Sequence, residues 1–129
     1  MSKKKPERPL PQSLGLPFAG ADSHAHLDHE GLLPDLTGML QRAAESGVSL
    51  IVHMFLQHSR YAANRQLILD AASALENGPD ICFVRGLHPE DVLEADDAEW
   101  ENLVHAVKTD PLIRAIGEIG LDWHYEEGY

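Results

Sequence analysis

Apolar runs of strand length alternate with segments of helical periodicity through most of this chain of 129 residues. The predicted strands cover about residues 18–23, 48–54, 81–84 and 112–119, and a helix is predicted after each of the first three. Regular alternation of this kind, in the order βαβαβαβ, is typical of a parallel sheet with helical crossovers. Two architectures share it, namely the closed (β/α)₈ barrel and the open doubly wound sheet.

Each predicted helix combines an apolar stripe with residues that begin or end helices. The ends are marked by Pro34 and Gly47, by Ser59 and Asn77-Gly78-Pro79, and by Asp96 or Asp97 and Asp110-Pro111. The stripes contain Leu36, Met39, Leu40, Ala43 and Ala44, then Leu67, Ile68, Ala71, Ala72 and Leu75, then Trp100, Leu103, Val104 and Val107. We therefore expect one domain over residues 18–129, preceded by a flexible segment rich in proline and lysine at residues 1–17.

Polar side chains that suit chemistry follow the predicted strands. They are His24 and His26 after the first strand, His58 after the second, His88 after the third, and Glu118 and Asp122 at the end of the fourth. A barrel gathers residues from several strands on this rim, whereas an open sheet concentrates them at one crevice. No Gly-x-Gly-x-x-Gly motif follows the first strand, which disfavours dinucleotide binding. The distribution favours barrel units.

Two histidines stand one residue apart where the first strand ends. Residues i and i+2 of a strand share a face, so His24 and His26 should point to the same side, about 7 Å apart at Cα. Asp22 and Asp28 fall on the same parity. Because imidazole and carboxylate groups are the usual ligands of zinc and similar ions, the stretch predicts a metal site.

The charge balance and the single cysteine restrict partners and compartment. The chain has 21 acidic and 10 basic residues and a net charge of −11, which disfavours tight, non-specific binding of nucleic acid. A metal cluster can still bring a phosphate group into one site. Cys82 suits a buried, inert thiol in a reducing compartment. Since no apolar run fits a secretory signal or a membrane span, we expect a cytoplasmic protein with no membrane partner.

Three motifs resemble the N-terminal signatures of the TatD family of metal-dependent hydrolases, in the same order. They are His24-Ala25-His26-Leu27-Asp28, Gly86-Leu87-His88-Pro89 and Gly117-Glu118-Ile119-Gly120-Leu121-Asp122. The resemblance spans about residues 18–126. It implies a TIM barrel of the amidohydrolase type with two divalent cations per complete site, such as zinc, magnesium or manganese. It also implies that metal-activated water hydrolyses phosphodiester bonds, typically those of DNA, as in a deoxyribonuclease.

The resemblance also implies a role for each matching residue. His24 and His26 would ligate one ion, and Glu118 would bridge both ions. His88 would lie near the substrate phosphate, and Asp122 would orient neighbouring groups. The catalytic residues would thus be Glu118, His88 and Asp122, and the metal ligands would be His24, His26 and Glu118.

Two positions depart from the family pattern. Glu90 stands where the family often has a second histidine, so a second substrate contact is not expected there. His53 lies inside the second strand, where the family usually has a small or apolar residue. We expect His53 to be a buried histidine with satisfied hydrogen bonds rather than a ligand.

The chain accounts for only four strands, whereas a (β/α)₈ barrel typically needs about 250 residues. The expected fold is therefore α/β, with parallel (β/α) units of an incomplete TIM barrel. In the family, two further histidines and an aspartate come from later strands. A piece of a longer hydrolase is the favoured interpretation. The alternatives are an amidohydrolase acting on C–N bonds, an inactive half-barrel or interaction module, and self-association through exposed strand edges.

Overall fold

The four strands form one parallel sheet in the order β1-β2-β3-β4 in the computed structural model, which describes residues 9, 11–15 and 20–120. The strands are β1 (Gly20–Ala25), β2 (Val48–Phe55), β3 (Asp80–Arg85) and β4 (Ile113–Ile116). The helices are α1 (Leu36–Glu45), α2 (His58–Ser73) and α3 (Asp97–Thr109), with short 3₁₀ turns at Pro11–Leu14, Leu33–Asp35 and Pro89–Asp91. This arrangement of βα units is that of the first part of a TIM barrel, and it confirms the predicted fold class.

The sheet is regular at its centre and irregular at β1. Strands β2 and β3 pair without a break from Leu50 and Asp80 to Phe55 and Arg85. The pairing of β1 with β2 shifts register between Asp22 and Ala25. Cys82 on β3 is free and only half-buried, so it is less enclosed than predicted. No helix in the described ranges has the length and apolar character needed to cross a membrane.

The core lies between one face of the sheet and helices α1 and α2. Its buried members are Leu27, Leu36, Leu40, Ile51, Phe55, Ile68, Ala72, Ile81 and Phe83. Helix α1 buries Leu36 and Leu40 from the predicted stripe. It ends just before Gly47, whose φ of +82° places it in the left-handed region that glycine adopts at low cost. The first predicted helix is therefore confirmed.

Helix α2 begins and ends differently from the prediction. Gln57 is its N-cap residue but makes no side-chain cap bond. Instead, Oε1 of Glu99 accepts a hydrogen bond of 2.6 Å from the backbone N–H of His58. The prediction that Ser59 caps this helix is wrong because a side chain from α3 satisfies its first turn. The helix ends at Ser73, one turn before the predicted stop.

Helix α3 is capped as predicted but is rotated relative to its predicted stripe. The Asp96 carboxylate accepts a hydrogen bond of 2.8 Å from the N–H of Glu99. Leu103 is buried, whereas Trp100 is 44% and Val104 48% exposed. The sheet covers a narrower face of this helix than the apolar spacing suggests.

Two groups of charged side chains tie the helices to the sheet. Arg85 is fully buried, donates to the Phe55 carbonyl over 3.0 Å and lies over the Tyr61 ring. Burial lowers the pKa of its guanidinium. The second group, called here the Asp110 cluster, consists of Tyr61, Arg65 and Asp110. Both Arg65 and the Tyr61 hydroxyl donate hydrogen bonds to the Asp110 carboxylate.

Candidate metal centre

Strand β1 delivers two imidazole rings to one point. His24 lies within β1 and His26 follows its last residue, Ala25, so the strand ends two residues later than expected. The Nε2 atoms of the two rings are 3.2 Å apart. The backbone N–H of His24 donates to the Asp22 carboxylate over 3.0 Å, which orders the strand end. The predicted convergence of the pair is thus present.

Glu118 completes this group from the opposite edge of the sheet, because it lies two residues after the end of β4. Its Oε1 atom lies 3.0 Å from Nε2 of His24 and 3.7 Å from Nε2 of His26. We call His24, His26 and Glu118 the ligand cluster. Its members come from β1, from the residue that follows β1 and from the segment after β4, so side chains from the two edges of the described sheet meet at this point.

A close backbone approach places Glu118. Gly86 follows β3, and a Cβ atom on it would collide with the Gly117 carbonyl group and the Glu118 nitrogen. The N–H of Gly117 also donates to the Arg85 carbonyl over 3.0 Å. Glycine at position 86 is therefore needed for β3 and the chain beyond β4 to come together here.

The donor set of the ligand cluster fits a divalent cation. One ligand atom from each residue lies within 4.8 Å of the others. With metal–ligand distances of about 2.0–2.1 Å, ligand atoms around one ion are separated by roughly 3.0 Å at right angles and 3.4 Å at tetrahedral angles. The separations of 3.0, 3.2 and 3.7 Å in the structure lie close to this range. Imidazole nitrogen and carboxylate oxygen are also ordinary zinc and manganese ligands.

His88 approaches the second oxygen of the same carboxylate. Its Nε2 atom lies 3.4 Å from Oε2 of Glu118. Its Nδ1 atom accepts a hydrogen bond of 3.2 Å from the N–H of Glu90, so the neutral ring carries its hydrogen on Nε2. The Glu118 carboxylate therefore faces two histidines with one oxygen and His88 with the other.

Some predicted polar residues lie outside this group. His58 begins α2, and its buried Nδ1 atom has no hydrogen-bond partner within the described segments. Glu90 lies with its Oε2 atom 3.8 Å from Nδ1 of His88, and the resemblance did not assign it a role. His29 accepts a bond from the N–H of Gly31. Asp122 lies outside the described residues, so its predicted role stays a prediction.

A cleft of about 290 Å³ adjoins the ligand cluster. Its lining includes His26, Asp28, Arg60, His88 and Glu90. Nη1 of Arg60 donates to the carbonyl of Asp28 over 3.1 Å and lies 3.4 Å from its carboxylate. Arg60 is not among the site residues predicted from the sequence, because its position in the first turn of α2 carries no motif. Contact with the predicted site arises only from the packing of α2 beside the turn after β1.

The chain matches the sequence model described as TatD related DNase over residues 21–129. It belongs to the TatD family. It is 34% identical over 102 residues to YjjV of Escherichia coli (strain K12), a match that covers 78% of this chain and 37% of YjjV. It is 30% identical over 108 residues to YabD of Bacillus subtilis (strain 168), with 82% of this chain and 38% of YabD covered. Both relatives are described as uncharacterized metal-dependent hydrolases.

The chain thus spans less than two fifths of the length of these two relatives. Family membership confirms the resemblance inferred from the three motifs. It also implies a divalent metal cofactor for the family site, in agreement with the donor set of His24, His26 and Glu118.

Proposed function

We propose that this chain forms the N-terminal part of a metal-dependent hydrolase that cleaves phosphodiester bonds. The observation that carries the proposal is the convergence of two imidazole nitrogens and one carboxylate oxygen within 4.8 Å of one another. Among the described residues, the ion-pair contacts of Glu118 are with histidines alone. In the described part of the chain, the ligand cluster therefore presents nitrogen and oxygen lone pairs, and its carboxylate has no arginine or lysine counterion.

The chain's own side chains divide the work at this site. His24 and His26 would hold one cation, and Glu118 would contribute a carboxylate ligand to that cation and to a second one. A divalent cation bound there supplies a Lewis acid and acidifies a coordinated water. Two cations repel each other, and a carboxylate between them offsets that repulsion.

His88 suits the recognition of a phosphoryl group. Its Nδ1 atom is engaged by the Glu90 N–H, so Nε2 is the hydrogen-bond donor of the neutral ring. That donor faces the Glu118 carboxylate beside the cleft. In the metal-bound protein, the Nε2–H group of His88 would donate a hydrogen bond to a phosphoryl oxygen of a bound phosphodiester. A donor at this position supports a substrate with anionic oxygens.

A substrate panel tests the proposal. The 129-residue chain and the complete reading frame that contains it are assayed with magnesium, manganese or zinc. The substrates are bis(4-nitrophenyl) phosphate, single-stranded DNA and a set of cyclic amides. We expect metal-dependent cleavage of the phosphodiesters and none of the amides. Hydrolysis of the amides alone would instead identify the C–N bond alternative.

Two glutamate variants make the panel specific. Glu118→Gln removes the proposed bridging carboxylate and should lower phosphodiester turnover by at least about 100-fold. Glu101→Gln removes an exposed glutamate of α3 and should leave turnover unchanged. Equal turnover by both variants would contradict the role proposed for Glu118.

A further inference from the structure

A fully buried histidine lies beside the ligand cluster and takes no part in it. His53 lies in the C-terminal half of β2, is 0% exposed, and pairs in the sheet with Ala25, the residue between His24 and His26. Its ring packs edge-on against Phe55, with the ring centroids 4.1 Å apart. A buried polar ring in an apolar core is costly unless its nitrogens have partners.

The His53 ring binds the backbone immediately after His26. Its Nδ1 atom accepts a hydrogen bond of 3.0 Å from the N–H of Leu27. Leu27 is 3% exposed, so no bulk water can replace this acceptor. Without it, the Leu27 N–H would be a buried donor with no partner, which the chain would relieve by moving the backbone.

The same bond defines the state of the ring. Since Nδ1 accepts, the hydrogen of the neutral ring is on Nε2. Burial lowers the pKa of His53 to about 4, and the nearby Asp28 carboxylate only partly opposes this effect. Nε2 has no hydrogen-bond partner among residues 20–120, and its closest charged neighbour is Oδ1 of Asp28 at 3.8 Å. The expectation that His53 is fully satisfied is therefore correct for one nitrogen only.

Asp28 anchors the far end of the same turn. It is 5% exposed, and Arg60 binds both its carbonyl and its carboxylate. The backbone from His26 to Asp28 is thus held on one side by His53 and on the other by Arg60. Regular pairing of β1 with β2 has already been interrupted before Ala25, so the sheet alone does not hold this segment.

We propose that His53 is a positioning residue for the metal centre, because its Nδ1 atom holds the Leu27 N–H and so fixes the backbone that carries His26. The proposal depends on the proposed function only in treating His26 as a ligand. Groups that orient metal ligands typically change metal affinity by about 10- to 100-fold when removed. His53 acts on the main chain beside the ligand rather than on its ring.

Four variants of the full chain separate positioning from simple stability. His53→Leu removes the acceptor but retains an apolar side chain. In His53→Asn the Oδ1 atom can take the place of Nδ1, whereas in His53→Gln the longer side chain carries its polar end past Leu27. Ile51→Ala, two residues earlier on the same buried face of β2, weakens the core but removes no hydrogen bond of the turn.

The measurements are Mn²⁺ and Zn²⁺ affinity by calorimetry, together with the melting temperature and the amide hydrogen exchange of Leu27. His53→Leu and His53→Gln should weaken metal binding at least about tenfold and speed the exchange of Leu27. His53→Asn should stay within about threefold of the wild type, and so should Ile51→Ala despite its lower melting temperature. If His53→Leu does not fold, the contrast between Asn and Gln carries the test.

Two results would overturn the proposal. One is a metal affinity that follows the melting temperature across all variants, since a merely structural role predicts that. The other is unchanged Leu27 exchange in His53→Gln. If the wild-type chain binds no metal, the proposed function fails, and Leu27 exchange alone then decides whether His53 holds this turn. Long-range ¹⁵N correlation of the His53 ring should also show hydrogen on Nε2, and hydrogen on Nδ1 would contradict the account.

Discussion

The Asp110 cluster and the ligand cluster each bring charged or polar side chains together, but they differ in charge balance and exposure. In the Asp110 cluster the carboxylate is 5% exposed and faces a guanidinium and a hydroxyl donor. In the ligand cluster the side chains of His24 and His26 are 50% and 43% exposed and converge on the Glu118 carboxylate, with no arginine or lysine among its described contacts.

The difference separates a group that stabilises the fold from one that we propose binds a metal ion. Asp110 already has its counterion, and the Arg65 hydrogen bonds hold its pKa at about 2. Removing a member of the Asp110 cluster should therefore cost stability and leave metal binding intact. Changing a member of the ligand cluster should weaken metal binding and leave the free energy of unfolding nearly unchanged.

Asp110→Asn should give the largest loss of stability. The amide cannot accept both Arg65 hydrogen bonds and leaves the guanidinium without a counterion. Because Arg65 is 26% exposed, we expect a loss of about 2–3 kcal/mol in the free energy of unfolding, below the range for a fully buried pair. Urea denaturation measures it. Asp35→Asn is the control, since its pair with Arg42 is exposed and should contribute at most about 0.5 kcal/mol.

Acid should remove much of the same stabilisation. The pKa of Asp110 is about 2 in the folded chain against 3.8 ordinarily, so the carboxylate stabilises the fold above about pH 4. The contribution, roughly 2 kcal/mol, is lost as the pH falls from about 4 to about 2. Denaturation curves give the free energy of unfolding at about pH 5 and at about pH 3. Between these two pH values it should fall less in Arg65→Met than in the wild type. An equal loss in both would refute the assignment.

Gly86→Ala should affect both stability and the metal site. The added methyl group would meet the Gly117 carbonyl and the Glu118 nitrogen, so the chain after β4 must move. We expect a loss of about 1–2 kcal/mol and metal affinity at least about tenfold weaker. Gly20→Ala is the matched control, because its Cβ would meet nothing closer than 3.7 Å. Unchanged metal affinity in Gly86→Ala would show that this close approach does not place Glu118.

The order and type of the main elements could be predicted from the sequence because strand runs and helical spacing are local patterns. The cap of α2 could not, since Glu99 reaches the N–H of His58 from 41 residues away. The rotation of α3 was missed for a related reason. Which face of a helix is covered depends on its neighbours, and Trp100 remains half-exposed in the described part of the chain.

The ligand cluster was found because His24 and His26 have strand spacing and Glu118 lies in a specific motif. The charged groups that support the fold were missed. Arg85 is buried at the C-terminal end of β3, and Asp110 looked like part of a helix stop before Pro111. Each depends on partners distant in sequence, so no local pattern indicates it. The same holds for the bond from Leu27 to His53, which spans 26 residues.

Glu118→Gln is the most informative variant, although its expected change in the free energy of unfolding is small. Titration of the chain with Mn²⁺ and Zn²⁺, followed by calorimetry, compares the wild type with Glu118→Gln and the exposed control Glu101→Gln. We expect Glu118→Gln to alter the free energy of unfolding by less than about 0.5 kcal/mol yet to weaken metal binding at least about tenfold. Glu101→Gln should bind like the wild type. Equal metal affinity in all three proteins, or no binding by any of them, would contradict the claim that His24, His26 and Glu118 form a metal centre.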